Sequence, residues 1–179
     1  MLLLRKDYER KGTGFLLNSG EKTKITEMNS AYSKLIQTIE TLVTAGELRS
    51  EILFDVCKLL KDNIYHFDWV GFYVLDVTGS KLLLETFAGK PTEHTVIPVG
   101  KGVCGQVAET KMPKIVQDVN QEGNYIACSI DVQSEIVVPI LKDEKFVAEI
   151  DIDSHSAAPF TVEDEEFLTA VCQILSVLF

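Results

Sequence analysis

Apolar residues recur at steps of three and four from Asn29 onward, at Ala31, Leu35, Ile39, Leu42 and Val43. That spacing marks one face of an α-helix. Gly46 interrupts it, and a second helical face follows through Leu48, Ile52, Leu53, Val56, Leu59, Leu60 and Ile64. The pattern then changes to short β-branched and aromatic runs. WVGFYVLD, from Trp69 to Asp76, a TGSK turn and KLLLETFAG predict a hairpin. Lys114 to Val119 (KIVQDV) predicts a further strand. SEIVVPI, a turn at Lys142 to Lys145 and FVAEIDID predict a second hairpin. Thr161 and Asp164 form a capping pair ahead of a last helix, whose apolar face carries Phe167, Leu168, Val171, Leu175 and Leu178. Helices at both ends with hairpins between them predict an α+β fold, an antiparallel sheet with the terminal helices packed on one face. The other face is left for loops and a ligand pocket.

A strand sends residues i and i+2 to the same side. Asp151 and Asp153 therefore share a face, with Ile152 on the other, and Trp69 and Tyr73 share a face of their strand. Glu135 opens the partner strand of the second hairpin. The core pattern starts only at about residue 28; residues 1–27 carry a net positive charge and no sustained periodicity, and are expected to be an extension of a domain spanning 28–179.

With 46% hydrophobic and 25% charged residues, the chain has the composition of a soluble globular protein. No apolar run reaches the ~20 residues of a membrane span, and MLLL is too short for a signal-peptide core, so the expected location is cytoplasmic. A formal net charge of −10 argues against nucleic acid as partner. Four cysteines, Cys57, Cys104, Cys128 and Cys172, are widely spaced with no CxxC, so structural zinc is not expected. Cys57 and Cys172 fall on apolar helix faces and read as buried small hydrophobes. Cys104 sits among Gly100, Gly102 and Gly105, ahead of a short helical stretch from Gln106 to Thr110; Cys128 lies in a loop. Glycines permit unusual backbone angles and close approach, and a helix start favours thiolate. Both are candidate reactive thiols.

The blocks IPVGKGVCG, IAC at Cys128, SEIVVPI and DIDS together resemble the free methionine-(R)-sulfoxide reductase family of the GAF-domain superfamily. The resemblance implies an enclosed pocket for free methionine sulfoxide, a cysteine that becomes a sulfenic acid, and a second cysteine that resolves it as a disulfide. Thioredoxin is the external reductant and no bound cofactor is required. Mapped onto this chain, the thiols are Cys128 and Cys104, with Cys128 attacking or the roles reversed. The acids are Glu135, Asp151 and Asp153, and the pocket wall is Trp69 and Tyr73. The chain departs from the family at His94, where a third cysteine is common, at Ser129 in place of Asp, and at Tyr125 in place of His. Two other readings compete with the enzyme: a non-enzymatic GAF sensor of a small metabolite, and a stand-alone dimerisation module built on the terminal helices. A homodimer is compatible with either.

Overall fold

The computed structural model describes residues 30–124 and 131–179. The expected extension, residues 1–27, and the loop carrying Cys128 lie outside the described residues. Helices α1 (Ser30–Thr44) and α2 (Arg49–Asn63) come first. The hairpin β1 (Trp69–Leu75) and β2 (Lys81–Ala88) follows, then β3 (Val96–Pro98), α3 (Gly102–Thr110) and β4 (Lys114–Val116). A second hairpin, β5 (Ser134–Lys142) and β6 (Lys145–Ser154), leads to α4 (Val162–Leu175). The six strands make one sheet in the order β3-β2-β1-β6-β5-β4, and every paired neighbour runs antiparallel.

Alternation along the strands sorts the sheet into two chemically different faces. Val70 and Phe72, Ile150 and Ile152, and Ile136, Val138 and Ile140 turn to one side, where they join the buried faces of α1, α2 and α4 in the main core. Full burial of such side chains contributes about 1.5–3 kcal/mol each, so this face carries most of the fold's hydrophobic stabilisation. Cys57 and Cys172 are buried within it. The opposite face is covered by α3, which packs on β5 and β6, and by a smaller apolar cluster that includes Trp69, Tyr73, Val103, Cys104, Val107 and Val137.

The local signals act as their chemistry predicts. Thr161 accepts from the Asp164 backbone at 3.2 Å, and the Asp164 carboxylate accepts from Thr161 N at 2.7 Å, closing a capping box at the start of α4. Tyr32 of α1 donates to the same carboxylate at 2.6 Å and His66 approaches it at 3.1 Å, so the cap also ties α1 to α4. In the β5–β6 turn, Asp143 and Glu144 both take positive φ (49° and 61°), the twist that two-residue hairpins favour.

Three boundaries differ from the sequence pattern. Helix α3 begins at Gly102, four residues before Gln106. The strand expected over Lys114–Val119 stops at Val116, because Val119 already begins a 3₁₀ turn capped by Asp118. Val96–Pro98, which is not among the strands that the sequence pattern predicts, pairs with β2 at the sheet edge. Among the described residues, no helix is long and apolar enough to cross a membrane.

Candidate active site

The pairing register brings the acids together. Asp153 lies opposite Trp69 on β1 and Glu135 on β5; Asp151 lies opposite Gly71 and Val137; Glu149 lies opposite Tyr73 and Pro139. One face of the adjacent strands β5 and β6 thus presents Glu135, Glu149, Asp151 and Asp153, all buried. Glu149 was not singled out from the sequence, although the alternation that joins Asp151 to Asp153 extends to it: in Glu149-Ile150-Asp151-Ile152-Asp153 every second residue is acidic.

Four carboxyl groups in this space cannot all ionise cheaply. Burial is the first cause raising each pKa, and neighbouring acids add to it for Glu135, Glu149 and Asp153. Those three are pushed well above the usual carboxyl range, and Asp151 is pushed up to about 7. The Cys104 thiol approaches Glu149 and Asp151 and draws both partway down. Even so, neither oxygen of Glu149 or of Asp151 meets a donor at full hydrogen-bond geometry. Among the described residues, no ion pair involves any of the four. The arrangement therefore holds carboxyl groups in the protonated form near neutral pH, where they can donate a hydrogen bond or a proton.

Cys104 reaches this face from the first turn of α3. The turn before it is built on glycine: Gly100 and Gly102 have φ of 82° and 66°, and a Cβ on Gly105 would lie 2.5 Å from Pro98 O and 2.9 Å from Gly100 N. Gly100 N donates to Gly105 O at 2.7 Å and Lys101 N to Pro98 O at 3.0 Å, folding the start of α3 against the end of β3. The helix is thereby set with Cys104 buried over the acids, its Sγ 3.9 Å from Glu135 Oε1. Sγ and one oxygen each of Glu135 and Asp151 all lie within 4.8 Å of one another.

The aromatic pair stands on the same face. Trp69 stacks on Phe87 with centroids 5.6 Å apart, and its Nε1 donates to Lys90 O at 3.0 Å. Tyr73 is fully buried and its hydroxyl donates to His94 O at 2.7 Å. The polar tips of both rings thus hold the segment between β2 and β3, which the Lys90–Asp131 ion pair clips from outside. Trp69 lies across Gly71, where a Cβ would come within 2.2 Å of the indole, and against Gly89, whose φ is 142°. Beside it is a cavity of ≈ 140 Å³ bounded by Trp69, Asp153, Lys90, Thr92, Val132 and His155.

Of the residues expected at the site, Cys104, Glu135, Asp151, Asp153, Trp69 and Tyr73 share this one face, and Cys128 lies outside the described residues. Cys57 and Cys172 sit on the opposite, helix-covered side, where burial pushes both thiols up.

The GAF domain model matches residues 48–178. The free methionine-R-sulfoxide reductase of Saccharomyces cerevisiae is 41% identical over 129 residues, covering 71% of this chain and 69% of that protein. This chain belongs to the free methionine-R-sulfoxide reductase family of GAF domains. A further relative, GAF domain-containing protein A of Dictyostelium discoideum, is 37% identical over 80% of this chain and 89% of its own length. Among solved structures, the free methionine-R-sulfoxide reductase of Neisseria meningitidis in complex with its substrate superimposes with a TM-score of 0.78 at 35% identity, covering 84% of this chain and 90% of the other. Membership in this reductase family gives the buried acid face a chemical context that the GAF fold alone does not, since a fold hosts many functions.

Proposed function

We propose that this protein reduces free methionine-(R)-sulfoxide to methionine through cysteine chemistry, with thioredoxin restoring the thiols. The observation that carries the reading is the placing of Cys104 and the wall of Trp69 and Tyr73 on one face with carboxyl groups that burial keeps protonated. A sulfoxide is a poor electrophile until its oxygen is protonated or hydrogen-bonded, and a carboxyl group held neutral supplies that help. Glu135, Asp151 and Asp153 are assigned this role. An aromatic wall suits the methylthio group, because sulfur–ring contacts are favourable. The ≈ 140 Å³ cavity that Trp69 and Asp153 line beside this face is well below the ~300–1,000 Å³ of drug-sized sites, which favours a small ligand over a chain.

In the proposed cycle Cys128 attacks the sulfoxide sulfur. The sulfoxide oxygen passes to the cysteine sulfur with two electrons moving the other way, giving methionine and a sulfenic acid. Cys104 attacks that sulfenic sulfur, water leaves, and a disulfide forms. The thioredoxin dithiol then reduces the disulfide and is itself oxidised. With His94 at a position where the family resemblance implies that another cysteine is common, Cys104 is the assigned resolving thiol. The test is one equivalent of free sulfoxide added to reduced protein. Two thiols should be lost for each methionine released, and thioredoxin should restore them. Cys104→Ser should still release one methionine and leave a sulfenic acid trappable on Cys128. If that variant gives no single-turnover product, Cys104 is the attacking thiol; thiols unchanged by substrate would instead favour a sensor.

A further inference from the structure

We infer that Cys104, Glu135, Asp151 and Glu149 form a site for a thiophilic divalent cation of the Zn²⁺ type. Three donor atoms, Cys104 Sγ and one oxygen each of Glu135 and Asp151, lie within 4.8 Å of one another, and Sγ to Glu135 Oε1 is 3.9 Å. Around a tetrahedral ion with bonds of roughly 2.3 Å to sulfur and roughly 2.0 Å to oxygen, such donors stand about 3.5 Å apart. Side-chain rotation of about 1 Å closes that difference without moving the backbone.

The second observation is independent of that trio. Glu149 is completely buried, and neither of its carboxylate oxygens meets a donor at full hydrogen-bond geometry. It stands two residues from Asp151 on the same face of β6, with the Cys104 thiol beside it. Buried carboxyl groups without a partner resolve their cost by holding a proton or by meeting a cation. The donor set decides which cation. A thiolate with carboxylates prefers Zn²⁺ over Mg²⁺ or Ca²⁺, which take oxygen ligands in larger shells.

The ligands come from α3, β5 and β6, which explains why no Cys/His spacing marks the site in the sequence. Three of them lie on rigid, paired strands. A bound ion would also occupy Cys104 and two of the acids assigned to sulfoxide activation, and so inhibit the proposed reductase. That consequence rests on the reductase reading; the binding does not.

The test is titration of the reduced full-length chain with Co²⁺, which on a thiolate gives a near-ultraviolet charge-transfer band. One Co²⁺ per chain is expected, displaced by stoichiometric Zn²⁺ but not by excess Mg²⁺. Cys104→Ser should abolish the band, and Glu149→Gln should weaken binding about 10–100-fold, while Cys57→Ala changes neither. Circular dichroism and thermal melts establish that each variant is folded. Absence of the band in the wild-type chain, or its full persistence in folded Cys104→Ser, would overturn the assignment. Co²⁺ binding in a chain that reduces no sulfoxide would leave this site standing and remove the reductase reading.

Discussion

Replacing Gly71 by alanine tests whether the aromatic wall is built as described. The added Cβ would lie 2.2 and 2.5 Å from two atoms of the Trp69 ring, where carbon contacts settle at about 3.5–4.0 Å. The indole must therefore retreat by about 1.3 Å. The pyrrole part of the indole lies against Gly89, where its Cδ1 is 2.5 Å from the position a Cβ would take. Retreat strains or breaks the 3.0 Å bond to Lys90 O and the stacking on Phe87. Overpacking costs about 1–3 kcal/mol, and a lost hydrogen bond about 1 kcal/mol. Since the two are not independent, a total of about 2–3 kcal/mol is expected. For a chain of this size that lowers Tm by roughly 5–10 °C. Trp69 is the sole tryptophan, so intrinsic emission reports on this ring alone and should shift with the substitution. KM for the sulfoxide should rise more than kcat falls, because the wall binds and does not transfer protons. Gly123→Ala, with nothing within 4 Å of its Cβ, is the control and should change none of these. A Gly71→Ala protein with unchanged emission and a stability loss under about 0.5 kcal/mol would refute the packing argument.

Asp153→Asn should fold normally yet slow sulfoxide reduction by about 10²-fold, the usual contribution of general-acid help; an unaltered steady-state rate would reduce Asp153 to a strand residue. Stability should also depend on pH in an unusual direction. Asp151 titrates near 7 in the folded chain against an ordinary value of 3.8, so between those values the native state binds more protons than the unfolded one, and stability falls as pH rises. Denaturant melts should show that loss developing from about pH 4 and, for Asp151, complete above about pH 7, and Asp151→Asn should flatten the slope. A wild-type profile that climbs over this window would contradict the buried, protonated acid face.

Much of the site was legible because strand alternation is a local rule. Asp151 and Asp153 could be placed on one face from spacing alone, and so could Trp69 and Tyr73. The same rule reaches Glu149, two residues before Asp151 on the same strand. What spacing cannot give is the stacking of one segment on another. That Cys104 lies over Glu135 depends on how α3 folds back through Gly100, Gly102 and Gly105, and the same glycines hid the true start of that helix, since glycine is a poor helix former. The edge strand Val96–Pro98 was missed for a related reason: three residues with a proline carry too little pattern, and only pairing with β2 makes them a strand. The capping box at Thr161 and Asp164 needed no tertiary information and was read directly.

The central claim is that this pocket reduces free methionine-(R)-sulfoxide. Its most direct test is the rate of methionine formation from the free (R) epimer, the free (S) epimer and an (R)-sulfoxide within a peptide, each with the thioredoxin system as reductant. Turnover of the free (R) epimer is expected, with the other two slower by at least ~10²-fold. Comparable rates on the peptide, or no methionine from the free (R) epimer, would contradict it.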